Sequence, residues 1–96
     1  MENQKSDEFY KNLKTQIDDT TKVWPSKFLY KFILLTDEIK IKKLENYFNH
    51  MGAVITKKPS KNGKYTSISI LANMNCSNDI IKKYKEVGQV AGIISL

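Results

Sequence analysis

The sequence has no arginine, one cysteine, one histidine and only two prolines. All 16 basic residues are lysines, so no planar guanidinium is available for bidentate contacts to phosphate or to guanine. The single cysteine, Cys76, cannot form a disulfide within the chain, which fits a reducing compartment. These absences argue against a disulfide-stabilised secreted domain and weaken an interpretation of the net charge of +6 as a nucleic-acid surface.

Long apolar runs are also missing. No segment approaches the roughly 18 apolar residues that suggest a membrane span. The amino-terminal segment, Met1 to Glu8, lacks the cationic start and apolar core of a secretory signal. The remaining composition, 41% hydrophobic and 27% charged over 96 residues, is typical of one globular domain. We therefore expect a cytoplasmic protein with no membrane partner.

Catalytic chemistry finds little support in the sequence. The only histidine, His50, falls near the end of a predicted helix, where a cation suits the helix dipole. Cys76 precedes another predicted helix, but no base or second metal ligand is spaced to join it. The segment Asn62-Gly63-Lys64-Tyr65 lacks the spacing of a phosphate-binding loop. The sequence predicts a protein that is not an enzyme and binds neither a metal nor a cofactor.

The most informative stretch is Ser60 to Ile70, where a turn signal leads into a strand. Asn62-Gly63 predicts a two-residue type I′ hairpin turn, because both central positions of that turn need a positive φ. Downstream, apolar and polar residues alternate with a period of two, which predicts a strand with one buried face. Upstream, Ala53 to Thr56 predicts the other strand of the hairpin.

The other elements follow from helical spacing, caps and β-branched runs. The pattern predicts a helix capped by Ser6, a strand over Lys27–Leu35, a helix from Thr36 or Asp37 to Gly52, a helix capped by Ser77 and ended by Gly88, and a strand over Val90–Leu96.

This order predicts an α+β fold of the ferredoxin-like βαββαβ type. Right-handed crossovers then give a four-stranded antiparallel sheet, order 4-1-3-2, with two helices on one face. Residues 1–23 form an N-terminal helical extension and connector, and residues 24–96 form the ferredoxin-like domain. We expect the apolar stripe of the extension to be buried at an edge of the sheet or beneath it.

Three segments carry a family resemblance: Trp24 to Phe32, Ser60 to Ser67 and Val90 to Ile94. The most recognisable parts are the aromatic-Pro-x-x-Phe entry at Trp24 and the Gly-Lys-Tyr-Thr-Ser entry at Gly63. In these segments the chain resembles the YbeD-like family of small bacterial proteins of unknown function. The resemblance covers roughly Trp24 to Leu96 and implies a ferredoxin-like, ACT-like fold with a regulatory or sensing role, but no catalytic residues. The loop Leu35-Thr36-Asp37-Glu38 departs from ligand-binding ACT domains, which commonly have a glycine there.

Two surfaces are candidates for function. The face of the sheet away from the helices is predicted to carry Leu29, Lys31, Ile33, Tyr65, Ser67, Ser69 and Leu71 as an interaction surface. A basic patch, Lys57, Lys58, Lys61 and Lys64, surrounds the hairpin tip. The partner is an unknown protein or a small-molecule effector, with homo-oligomerisation left open. The alternative is weak binding of single-stranded RNA, for which Tyr65 offers one stacking platform.

Overall fold

The computed structural model describes the backbone of residues 2–96 and the side chains of residues 7–96. The helices are α1 (Glu2–Thr20), α2 (Glu38–Asn46) and α3 (Ser77–Val87), and a 3₁₀ turn covers Asn49–Met51. The strands are β1 (Ser26–Leu35), β2 (Val54–Pro59), β3 (Tyr65–Met74) and β4 (Ile94–Ser95). They form one antiparallel sheet in the order β2-β3-β1-β4, so the predicted ferredoxin-like α+β fold with its strand order and N-terminal helix is confirmed.

The core lies between one face of this sheet and the helices. Alternate residues of β1 and β3 point into it, as the period of two predicts. The ring of Tyr30 packs against Phe48 and Tyr84, with centroids 5.2 Å and 5.0 Å away. The buried set shared by strands and helices includes Tyr30, Phe32, Leu34, Leu44, Phe48, Ile68, Ile70, Ile80 and Val87. This burial supplies the main stabilisation of the domain.

The phenol of Tyr30 is buried among aromatic rings. Its hydroxyl donates a hydrogen bond to the carbonyl oxygen of Ile80 at 3.2 Å inside the core. Burial, and secondarily the neighbouring Tyr84, raise the pKa of Tyr30 well above its ordinary value. Burial also raises the pKa of Tyr84. The fold therefore favours the neutral phenols.

We predict an alkaline loss of stability that depends on Tyr30. Above about pH 10 the unfolded chain ionises its tyrosines while the folded chain keeps Tyr30 protonated, so the free energy of unfolding decreases as pH rises. Urea unfolding between pH 8 and pH 11 should show a shallower decrease for Tyr30→Phe than for the natural protein. Tyr65→Phe, at an exposed position, is the control. Equal slopes for all three proteins would contradict the prediction.

The hairpin between β2 and β3 differs from the predicted type I′ turn. No residue other than glycine has a positive φ in the described chain, so Asn62 does not adopt the required conformation. Instead Gly63, at φ 74°, donates its N–H to the carbonyl of Ser60, and the Asn62 side chain accepts from the N–H of Lys64. An Asx-type bond at Asn62 thus produces a longer loop, with a single left-handed glycine.

Two predicted elements are shorter than expected. The helix from Asp37 ends at Asn46 instead of continuing to Gly52, because Tyr47 and Phe48 make i→i−3 hydrogen bonds to Leu44 and Glu45 that tighten its last turn. The predicted strand Val90–Leu96 is reduced to the two residues of β4. Val90 is buried in a turn where its N–H bonds to the Val87 carbonyl.

Two predicted helix caps are wrong. Helix α1 already begins at Glu2, four residues before Ser6. Ser77 is the first residue inside α3, and Cys76 occupies the cap position without a side-chain hydrogen bond. Ser77 is buried and its hydroxyl, after the Lys14 ammonium, contributes to lowering the pKa of the Asp18 carboxyl on α1. Because Ser77 lies inside the first turn of α3, its hydroxyl is not at the cap position that the sequence pattern predicts.

Of the two positions expected for the N-terminal helix, at an edge of the sheet or beneath it, the structure excludes the second. Helix α1 packs on α3, in the helical layer, and not beneath the sheet. Ile17 is buried in the core, and the Lys85 ammonium on α3 lies 5.3 Å from the centroid of the Tyr10 ring. As a consequence α1 leaves the other face of the sheet uncovered.

Candidate functional site

The sheet face away from the helices is the candidate functional site. Directly opposed residues of neighbouring strands share a face, so the strand register assigns its members. One row across the sheet joins Val54, Leu71 and Leu29, and another joins Thr56, Ser69 and Lys31. A third row joins Lys58, Ser67, Ile33 and Ile94. We call these residues, with Lys27, Leu35, Tyr65 and Asn73, the open sheet face.

The seven residues predicted for this surface all lie on it. Leu29 pairs with Leu71, Lys31 with Ser69, and Ile33 with Ser67, while Tyr65 lies opposite Leu35. Leu29 is 48% exposed and Tyr65 is 39% exposed, so large apolar side chains contact solvent here. The three aromatic residues of β1, Phe28, Tyr30 and Phe32, face the helices. The face therefore combines exposed aliphatic side chains with a single exposed aromatic ring.

Sequence reasoning missed several members of the open sheet face. Val54 is 63% exposed beside Leu71, and Ile94 lies beside Ile33. Leu96 follows at the same edge, where its N–H donates to the carbonyl of Lys31 at 2.9 Å. Alternation along β2 could have indicated Val54. The sequence does not show which residues β2 and β4 pair with, so it could not assign their faces to one side of the sheet. These additions make the face more apolar than predicted.

The predicted basic patch is divided between two faces. Lys57 lies on the helical side, where its ammonium forms an ion pair with Glu45 at 2.8 Å. Lys58 lies on the open sheet face opposite Ser67. Lys61 and Lys64 belong to the hairpin loop, and the Lys64 ammonium is 5.7 Å from the centroid of the Tyr65 ring. The four lysines are exposed but do not point at one common site.

A polar cleft lies between α3 and the 3₁₀ turn that follows α2. Its volume is about 280 Å³, and its lining includes His50, Asp79, Lys82, Lys83 and Glu86. The Lys83 ammonium donates to the Tyr47 carbonyl at 2.6 Å and lies 3.0 Å from Glu86 Oε1. The Lys83 ammonium therefore links α3 to the segment that follows α2, whereas Glu86 Oε1 is buried and accepts no hydrogen bond within the described residues.

The loop between β1 and α2 contains Thr36 and Asp37, and both side chains are hydrogen-bonded. Here the Asp37 carboxylate accepts from the N–H groups of Ile39 and Lys40, at 3.0 Å and 3.2 Å. The hydroxyls of Thr36 and Thr66 lie 2.8 Å apart. Both polar side chains of the loop are thus engaged in capping α2 and joining the loop to β3.

The two residues considered for catalysis, His50 and Cys76, lie on different elements. His50 is exposed in the 3₁₀ turn, and Cys76 is half-buried at the start of α3. Over the part of the chain that the structure describes, no three His, Cys, Asp or Glu side chains are grouped to hold a metal ion. None of the described helices is long and apolar enough to cross a membrane.

Comparisons with known proteins place the chain by fold. No protein-family model matches the sequence, and no curated protein matches it. A solved structure similar to this chain is the solution structure of protein HP0495 from H. pylori, determined by structural genomics. The two chains have a TM-score of 0.63 and 19% sequence identity over 79% of this chain and 86% of HP0495. At this identity the similarity shows that the two proteins share a fold.

Proposed function

We propose that this protein is a non-catalytic interaction module that docks a protein partner on the open sheet face. The observation that carries the proposal is the position of α1, which packs on α3 and leaves the apolar side chains of the sheet exposed. Contiguous apolar residues surrounded by polar ones are typical of protein interaction sites. Lys27, Lys31 and Lys58 provide such a polar surround here.

We also infer that the chain belongs to the YbeD-like family, an assignment more specific than the shared fold. The YbeD-like segments at Trp24–Phe28 and Gly63–Ser67 enter β1 and β3, the two central strands, and the fold shared with HP0495 is consistent with them. An ACT-like regulatory module would act through a partner whose state it alters. We therefore propose that the module is regulatory, and that it works in the cytoplasm of a bacterium.

Photo-cross-linking tests the proposed docking face. A photoreactive phenylalanine analogue in place of Val54, on the open sheet face, should form protein adducts in cells of the natural host. The same substitution at Ile39 is the matched control, because Ile39 is 81% exposed on α2, in the helical layer. Adducts confined to position 54 support the proposal. Equal adducts at both positions, or none at 54, contradict it.

A second candidate is single-stranded RNA on the same face, favoured by the exposed Tyr65 ring with the Lys64 ammonium 5.7 Å from its centroid. In that case affinity for an unstructured RNA should decrease steeply with salt, and Tyr65→Ala should weaken binding by about 1–3 kcal/mol. Fluorescence anisotropy with labelled oligouridine measures both effects. Lys82→Ala, on α3, is the control for losing one positive charge away from the open sheet face. Affinity that does not respond to Tyr65→Ala would exclude this candidate.

A further inference from the structure

The amino-terminal half of β1 is an unpaired strand edge within the described residues. Strand β1 has ten residues, but β4 pairs with Phe32 and Ile33 only, and the Leu96 N–H reaches Lys31. On its other side β1 pairs with β3 along its whole length. No described strand lies beside Ser26–Tyr30 on the β4 side. On this side of β1, the backbone groups of the segment have no neighbouring strand among the described residues with which to pair.

The direction of each backbone group follows from the hydrogen bonds already made. The carbonyl of Lys31 accepts from Leu96, so Lys31 points its backbone groups towards β4. Successive residues of a strand point to opposite sides, so Leu29 and Lys27 also point away from β3. Each therefore offers one N–H donor and one carbonyl acceptor at the edge. An added strand would satisfy these four groups.

We propose that this edge accepts an extended acidic segment of a protein partner, which adds to β1 as a strand antiparallel to it. The inference rests on the proposed function and defines how the partner binds. The added strand would lie in line with β4, on the same side of β1, and would pair with Leu29 and Lys27. Main-chain hydrogen bonds supply affinity in this mode, and alternate side chains supply specificity.

The side chains at the edge determine the chemistry of the partner. Lys27 and Leu29 lie on the open sheet face, and Lys31 is the next residue of β1 on the same face. Opposite charges across a ladder stabilise it, and like charges destabilise it. The matching segment therefore has an apolar residue opposite Leu29 and an acidic residue opposite Lys27. Its apolar side chain would extend the aliphatic row formed by Val54, Leu71 and Leu29.

A second copy of this chain fits the edge less well. Antiparallel pairing centred on Leu29 would bring Lys27 of each copy opposite Lys31 of the other. Each copy also carries a formal net charge of +6, which opposes association with itself and favours an acidic partner. The opposite edge of the sheet, β2, ends in Lys57-Lys58-Pro59, a composition that protects edge strands from pairing.

The test uses the full chain and the peptide acetyl-Val-Thr-Glu-Thr-amide, with valine designed to lie opposite Leu29 and glutamate opposite Lys27. Titration of the isotopically labelled protein should shift the backbone amide signals of Lys27 and Leu29. Methylating the peptide nitrogens of valine and glutamate, whose N–H groups face β1, should weaken binding at least about tenfold. Methylating the nitrogen of the central threonine, which faces away, is the matched control and should have little effect.

A charge exchange tests the specificity. Lys27→Glu should weaken binding of the acidic peptide about two- to fivefold and favour a peptide with lysine in place of glutamate. Lys58→Glu, on the same face at the other edge, should change neither affinity.

Three results would overturn the proposal: no shift at Lys27 and Leu29 at millimolar peptide, shifts that do not respond to nitrogen methylation, or concentration-dependent shifts at these amides without peptide, which indicate a second copy. If position 54 forms adducts and any of these results is obtained, strand addition at β1 is refuted and the proposed function stands. If position 54 also forms no adducts, strand addition and the proposed function are both refuted.

Discussion

Replacing Phe32 with alanine is expected to lower the free energy of unfolding by about 3–5 kcal/mol, because a buried aromatic ring is removed and a cavity remains. Phe32 is fully buried, with ring centroids 5.9 Å from Tyr30 and 6.2 Å from Tyr84. Urea unfolding followed by circular dichroism measures the loss. The effect should be among the largest of any single truncation in the chain.

The matched control for Phe32 is Leu29→Ala, three residues earlier on β1 and on the opposite face of the sheet. Leu29 is half-exposed, so its truncation should cost less than about 1 kcal/mol. A loss at Leu29 equal to that at Phe32 would mean that the open sheet face is buried in the folded protein. That result would contradict its assignment as a docking surface.

The second large effect concerns the attachment of α1. Ile17→Ala is expected to lower the free energy of unfolding by about 2–5 kcal/mol, since Ile17, on α1, is buried in the core. Hydrogen exchange should also become faster along α1, because the helix loses its anchor on α3. Urea unfolding and hydrogen exchange with mass spectrometry give the two measurements.

Phe9→Ala is the control within the same helix. Phe9 is exposed and contacts Tyr10, with ring centroids 5.3 Å apart, so its truncation should cost at most about 1 kcal/mol. If Ile17→Ala and Phe9→Ala were equally mild, α1 would not be docked on α3. The open sheet face would then be available for α1 itself to cover, and it would not be a docking site for a partner.

Local sequence signals determined the two central strands and the helices because their patterns are long and periodic. Alternation over Phe28–Leu34 and Thr66–Ala72 identified which side chains enter the core, and Asp37 was recognisable as a cap. The seven residues predicted for the open sheet face follow from the same alternation. A period of two separates the faces of a strand whatever the strand pairs with.

Interactions between distant segments decided the rest. The predicted hairpin turn failed at Asn62, whose side chain bonds to the loop backbone, and Ser77 lies inside α3 while Cys76 takes the cap position. The sequence did not indicate that the last strand would contract to Ile94–Ser95 or that α1 would pack on α3.

Strand pairing and helix docking depend on which surfaces meet, whereas periodicity shows only which residues of each element are apolar. For this protein, the sequence by itself determined the fold class and the members of one sheet face that lie on the two central strands, whereas Val54 and Ile94 were assigned to that face only by strand pairing. The tertiary structure decided that this face, and the edge beside Lys27 and Leu29, would remain uncovered by the described chain.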